Sequence, residues 1–329
     1  MLDARTIAQR LTGSLSVADF NSEVRERRFG CFRAALTADE VAAVYGRSRL
    51  DAALAAAVIP PHFIDIFTGG QLVKLADVQS KSGLSASELV VSQLRQGATI
   101  RVRELQMSDA GIAALTREVQ RLFEARSQTN LYLTPPSANG FPPHFDITDV
   151  FIVQCSGAKA WTVFERYAQR KPLPLMETPW EPARYTPQDA GATTVLNSGD
   201  VMYLPRGTMH AAASLAQASL HLTIGLTPLT IADVMAREVK RFAESDVQLR
   251  QRAIWAEGGD TAVLTAEIRR HFRSIADTAD AHVAVAEERQ VLHGSPETRA
   301  AAGAIVACLA ELESEAAADS ARAHSRPIA

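Results

Sequence analysis

Gly140-Phe141-Pro142-Pro143-His144-Phe145-Asp146 is answered far along the chain by Gly199-Asp200-Val201-Met202-Tyr203-Leu204-Pro205-Arg206-Gly207-Thr208-Met209-His210. Together these stretches decide how the chain folds. They offer two imidazoles and one carboxylate, the donor set suited to a mononuclear ferrous centre with open coordination positions. Residues two apart on a β-strand point to the same face, so His144 and Asp146 are expected to grip one ion together. His210 is expected to join them once the intervening strands close into a barrel. Taken alone, the H-x-D pair reads equally as a hydrogen-bonded histidine and aspartate at a barrel rim. The surrounding text decides between the two.

Asn130-Leu131-Tyr132-Leu133-Thr134-Pro135-Pro136 alternates polar and apolar side chains, the period of a half-buried strand. Ser137-Ala138-Asn139-Gly140 is rich in turn formers and delivers His144 onto the next strand, which Val150-Phe151-Ile152-Val153 is expected to continue. Ser156-Gly157 turns, and Lys159-Ala160-Trp161-Thr162-Val163-Phe164 returns. Gly199-Asp200 carries a hairpin signal, with a strand expected on either side.

In these segments, and in Asp149-Val150-Phe151 and Ser219-Leu220-His221-Leu222-Thr223, the chain resembles the JmjC/cupin-4 oxygenases, specifically the bacterial ribosomal-oxygenase-like group. The likeness covers residues 130–226, about a third of the sequence. It implies a mainly β core, a double-stranded β-helix of the cupin/JmjC jelly-roll type, with helical N-terminal cover and an all-helical C-terminal region. It further implies Fe(II) held by His144, Asp146 and His210, with 2-oxoglutarate as cosubstrate and O2 as oxidant. The distal carboxylate of 2-oxoglutarate would reach Lys159 and Tyr132. Three protein ligands leave three positions, two for the keto acid and one for dioxygen, and no side chain is required as a general base. The coupled products are succinate, CO2 and an alcohol.

Elementary energetics agree with that assignment. A dicarboxylate buried in an apolar barrel needs a cation and a hydroxyl donor to offset its desolvation. Only 5 of the 34 basic residues are lysine, so a lysine on a barrel strand suggests a point charge rather than a planar fork. The other reading of Lys159 is a surface lysine lying along Trp161. Thr223 and His221 alternate on the last core strand. Thr223 would donate to the cosubstrate, and His221 would serve the substrate or a ligand, or else be a satisfied core histidine. Asn130 shares a face with Tyr132, either lining the pocket or stabilising a strand end. Relatives usually carry bulky aromatics at the positions of Thr208-Met209 and often an acid at that of Ala211, departures that bear on the substrate rather than on the metal.

We divide the chain into four parts. Residues 1–95 are a mixed α/β cover of the barrel, with helices opened at Leu15–Phe20 and by the capping-box spacing Thr37-Ala38-Asp39-Glu40. Residues 96–229 are the catalytic core, beginning with a strand around Gly97–Arg103 and a helix over Ser108–Arg126. Within the core, the proline-rich insert 165–191 is long enough to be a lid or binding loop, with Trp180 and Tyr185 expected to anchor it. Residues 230–294 are helical, with Ile231, Val234, Met235, Val239 and Phe242 on one face; the resemblance implies a homodimer formed there, and a structural cover helix is the alternative. Residues 295–329 are an alanine-rich helical or disordered tail, expected to be too short for a winged-helix module. His62, in Ile59-Pro60-Pro61-His62, reads as structural.

The net charge of −3 provides no whole-protein field for nucleic acid or an anionic membrane, and residues 230–329 hold 12 basic against 16 acidic side chains. Direct nucleic-acid binding is not expected. Cys31, Cys155 and Cys308 are scattered and odd in number, which suits reduced thiols in a cytoplasmic protein. Cys155 reads as a buried strand-end filler. No signal peptide or membrane span is expected. The expected substrate is a protein or peptide side chain of ribosomal-protein type. The alternatives are a free amino acid, a peptide natural product or another small molecule. N-methyl-lysine demethylation ranks lower, because no histone-reading module is visible. A reading of another class is a cupin-like protein that binds a metal or ligand without turnover.

Overall fold

Alternating strands and capped helices assemble here around two facing antiparallel sheets. The computed structural model describes residues 3–68, 71–138, 140–165, 174, 186–253, 261–278 and 281–293. Most of the insert, with Trp180 and Tyr185, and the tail 295–329 with Cys308 lie outside the described residues. The chain divides into two compact units, Met1–Pro228 and Leu229–Ala329.

In the first unit the early helices are α1 (Ala4–Arg10), α2 (Val17–Glu23), α3 (Ala38–Val44) and α4 (Arg47–Ala55). Ser16 caps α2, and Thr37 caps α3 through the reciprocal Thr37–Glu40 box that the spacing predicts. Helices α5 (Leu75–Ser82), α6 (Ala86–Arg95) and α7 (Ala110–Phe123) follow. The strands are β1 (Gly30–Phe32), β2 (Ile64–Thr68), β3 (Gln71–Lys74), β4 (Thr99–Val102), β5 (Arg126–Thr134) and β6 (Asp149–Ser156). They continue with β7 (Ala158–Val163), β8 (Ala192–Asn197), β9 (Val201–Leu204), β10 (His210–Ser214) and β11 (Ser219–Thr227).

The large sheet runs β1-β9-β6-β11-β5-β4-β2-β3 and the small one β10-β7-β8. The first 95 residues contribute β1, β2 and β3 to the large sheet. Strand β6 shows how one sequence serves two cores. Phe151 and Val153 pack outward with Phe20, Phe123 and Tyr203 beneath the helices, whereas Val150 and Ile152 pack inward against Trp161, Leu196 and Met202. The inner layer joins the sheets as a jelly roll, the mainly β core with helical cover expected from the sequence.

Two local expectations change. Gly199-Asp200 is not a hairpin: β8 pairs with β7 in the small sheet, while β9 pairs with β6 and β1 in the large one. The turn instead carries the chain from one sheet to the other. Gly199 takes φ 93° there, and a Cβ would stand 2.5 Å from the Leu36 carbonyl oxygen. Asp200 fixes the crossing by accepting from the amides of Ala34 and Asn197 and from Arg33. The second change concerns His144, which forms an isolated bridge rather than part of a continuous strand; β6 begins only at Asp149.

The second unit contains α8 (Ile231–Ser245), α9 (Ala262–Thr278) and α10 (Ala281–His293). Thr230 caps α8 through a box with Asp233, and Arg237 of α8 pairs with Glu288 of α10. Ile231, Met235, Val263, Phe272 and Val291 remain exposed. Among the described residues, no helix is long and apolar enough to cross a membrane.

Candidate metal centre

The segment before β6 is stitched to β10 along its length. Ser137 N donates to Leu215 O (2.7 Å), Ser214 N to Ala138 O (3.0 Å) and Gly140 N to Ala212 O (2.8 Å). The bridge closes the row, with His144 N donating to His210 O (3.0 Å) and His210 N to His144 O (2.8 Å). Asp146 is placed by its carbonyl, which accepts from Gly207 N at 2.9 Å. Behind the ligands, Phe145 and Met209 pack together with Ile147 and Phe164. Backbone pairing thus brings both ligand segments together.

One ligand atom each from His144, Asp146 and His210 lies within 4.8 Å of the others. The His210 Nε2 to Asp146 Oδ2 distance is 3.7 Å. Nδ1 of His144 faces Pro142 O at 2.8 Å, and Nδ1 of His210 faces Thr208 O at 2.9 Å. A carbonyl only accepts, so each Nδ1 carries the proton and each Nε2 keeps its lone pair for a metal. Burial, followed by the neighbouring His144 imidazole, lowers the pKa of His210 to about 4. It is neutral, as a ligand must be, across the physiological range. The donor set and its tautomers fit a ferrous ion.

The cluster opens into a cavity of about 120 Å³ lined also by Arg101, Tyr132, Lys159, Trp161, His221 and Thr223. Lys159, 2% exposed, gives its ammonium to Thr134 Oγ1 at 3.0 Å. Burial alone brings its pKa down to about 7, and no carboxylate among the described residues pairs with it. The hydroxyl beside the ammonium is therefore that of Thr134, while Tyr132 bonds to Arg101 and stacks flat on His221 at 4.9 Å. Burial pushes the Tyr132 phenol up to about 12. Asn130 Oδ1 accepts from Glu104 N at 2.9 Å, where Glu104 turns with φ 50°, and is not among the cavity's lining residues. His62 is exposed in the single 3-10 turn Pro61–Phe63 that precedes β2. Cys155 is buried, its thiol pushed up to about 12 by desolvation, which suits a filler rather than a nucleophile.

Sequence reasoning missed Arg101 and its anchor. Arg101 donates through Nε (2.9 Å) and Nη2 (2.7 Å) to Asp65 Oδ2, which also accepts from Arg103 Nε at 2.9 Å. Asp65, Arg101, Tyr132 and His221 are successive cross-strand partners, forming one polar row over β2, β4, β5 and β11. The available signal was a lone acid in the apolar run Ile64-Asp65-Ile66-Phe67 together with the alternation Arg101-Val102-Arg103.

Residues 105–234 match the family model described as the JmjC domain. A "Bifunctional lysine-specific demethylase and histidyl-hydroxylase NO66" of Dictyostelium discoideum is 32% identical over 146 residues, covering 43% of this chain and 28% of that protein. "Ribosomal oxygenase 1" of Danio rerio is 34% identical over 132 residues, covering 39% and 24%. The chain thus matches only about a quarter of the length of these relatives. Among solved structures, the Escherichia coli ribosomal oxygenase YcfD superposes with TM-score 0.50 at 15% identity, covering 82% of this chain and 68% of that one. The same protein in complex with cobalt and succinic acid gives the same TM-score, 0.50. These structural likenesses bear on the fold, and they agree with the jelly roll described above.

Proposed function

We propose that this chain, a JmjC-domain protein of the ribosomal-oxygenase type, is an Fe(II)- and 2-oxoglutarate-dependent dioxygenase that hydroxylates an unactivated C–H bond. One observation carries the reading: a three-ligand cluster shares its cavity with a buried ammonium that no described carboxylate neutralises. An ammonium so placed favours an anionic ligand, and a keto-diacid would meet both features at once. A ferrous ion held by His144, Asp146 and His210 would supply the oxidation that accompanies conversion of the keto acid to succinate and CO2. The chain's own residues bind, orient and exclude water. Lys159 neutralises the far carboxylate. Thr134 accepts from Lys159 and from Thr99, keeping its own O–H to donate to that carboxylate. Thr223 and Tyr132 close the cavity wall, and Asp65 holds Arg101 beside them.

The substrate we favour is a polypeptide side chain. The relatives are named for histidyl hydroxylation and for ribosomal oxygenation. An apolar groove of about 420 Å³ shares Phe141 and Ala212 with the metal cavity and continues over Pro142, Pro143 and Ala213. Such a groove suits residues flanking a target side chain better than it suits a small polar metabolite. The exposed apolar residues of α8, α9 and α10 suit association with a second copy of the chain.

The test is anaerobic loading with Fe(II), titration with 2-oxoglutarate, and measurement of succinate in air with and without ribosomal protein. Intact masses of ribosomal proteins from wild-type and deletion strains are compared alongside. Succinate formation and one added oxygen atom missing from the deletion strain are the expected results. Succinate with unchanged masses would move the substrate to a free amino acid, peptide product or other small molecule. A protein that binds no 2-oxoglutarate would belong to the non-catalytic cupin-like binders.

A further inference from the structure

One turn touches two of the three residues of the metal cluster. Pro205-Arg206-Gly207-Thr208 leads from β9 to β10, closed by Thr208 N donating to Pro205 O at 3.1 Å, with Gly207 at φ 76°. Gly207 N donates to Asp146 O at 2.9 Å, and Thr208 O faces Nδ1 of His210 at 2.9 Å. The turn therefore sets the main chain that carries the Asp146 carboxylate. It also sets the tautomer that leaves Nε2 of His210 for a metal. A turn with these two duties must itself be held.

A carboxylate holds it. Asp149 Oδ1 accepts from Arg206 N at 2.9 Å. The Asp149 side chain is wholly buried, and its main chain is fixed in β6 opposite Leu226 of β11. Arg25 Nε stands 3.6 Å from Oδ2, too far for a hydrogen bond. Burial raises the Asp149 carboxyl above its usual range, and the Arg206 amide is the largest influence opposing it. An apolar side chain at this position would avoid the cost of burying an acid. It would also leave the buried Arg206 amide without its acceptor.

We propose that Asp149 is a positioning residue for the metal centre: through the Arg206 amide it pins the turn that seats Asp146 and His210. The inference rests on the metal-centre reading above and adds to it a residue that is not itself a ligand.

The test titrates the full chain with Co(II), whose visible absorption reports the geometry of its ligands. Asp149→Ala removes the acceptor, whereas Asp149→Asn keeps an oxygen for the Arg206 amide. Asp109→Ala is the stability control, because Asp109 caps α7 and does not line the cavity. Asp149→Ala is expected to weaken Co(II) binding about 10–100-fold and to alter the absorption bands. Asp149→Asn is expected to stay within about threefold of wild type, and Asp109→Ala to match it. Wild-type affinity in folded Asp149→Ala would overturn the positioning role alone. An asparagine variant as weak as the alanine variant would overturn it too, as would an equal loss in Asp109→Ala. Wild-type protein that binds no Co(II) would remove the inference together with the metal centre beneath it. Should Asp149→Ala not fold, amide hydrogen exchange in the wild-type protein carries the test. Coupling between the turn and the metal is reciprocal, so zinc is expected to slow exchange at the Arg206 amide about tenfold more than at the amides of α7. Equal slowing at both would overturn the proposal.

Discussion

His144 and His210 lie directly opposite one another across a lone antiparallel bridge, each amide donating to the other's carbonyl, at 3.0 and 2.8 Å. Two ligands remote in sequence are thereby set by main-chain bonds, which an alanine at either position would leave in place.

His210→Ala or Asp146→Ala should therefore abolish metal binding while sparing the fold. Loss of residues that merely support a ligand costs roughly 10–100-fold in metal affinity, and loss of a ligand itself should exceed that. Calorimetric titration with Mn(II) measures the first effect. Thermal melts in chelator measure the second, and the metal-free melting temperature is expected to move little.

Lys159→Met should eliminate 2-oxoglutarate binding and stabilise the ligand-free protein. The folded pKa of Lys159 is about 7 against an ordinary 10.5, so between these values the unfolded chain holds the proton and the folded chain does not. Stability of the ligand-free wild type should consequently rise as pH climbs through that window, its deficit being complete below it. The variant should lack this slope. Melting temperatures recorded across the window in both proteins decide the matter. A bound anion raises the lysine's pKa, so 2-oxoglutarate affinity should fall as pH rises above about 7, with proton uptake visible as a buffer-dependent binding enthalpy.

Gly140→Ala should damage the cosubstrate end of the cavity. An added Cβ would stand 2.8 Å from Ala212 O and 3.6 Å from Lys159 Nζ. The stitched segment would have to shift, at a cost of roughly 1–3 kcal/mol. Weaker 2-oxoglutarate binding with metal affinity nearly intact is the expected pattern, read by calorimetry with each ligand.

Asp65→Asn should lower stability by roughly 1.5–3 kcal/mol, because the acceptor shared by Arg101 and Arg103 loses its charge. Chemical denaturation gives the stability. Metal titration should match wild type, since the polar row reaches the cavity through Arg101 and Tyr132 rather than through a ligand.

What was legible in the sequence follows from range. His144, Asp146, His210 and Lys159 were readable because short motifs carry them, and the strands around them announce a period of two. The capping boxes at Thr37 and the strand alternation in β5 are equally local. Arg101 and Asp65 were not readable as a cavity pair, because what joins them to Tyr132 is the register of β2, β4 and β5, set by sheet pairing far along the chain. The same reason explains Gly199-Asp200. Its residues specify a tight turn, but which sheet receives each flanking strand is decided elsewhere. Thr134 went unassigned beside Tyr132 because both share a strand face, and only packing shows which hydroxyl lies beside the ammonium.

The stitching of residues 137–144 onto β10 has a final consequence for traffic. The wall that bears the metal ligands is locked by main-chain bonds at Leu215, Ala212 and His210, so it cannot also serve as the door. Prying it open to admit a reactant would part the three ligand side chains in the same movement. Entry and exit must run past other flanks of the cavity, and an inhibitor meant to wedge the site open would do better pressing there than against this seam.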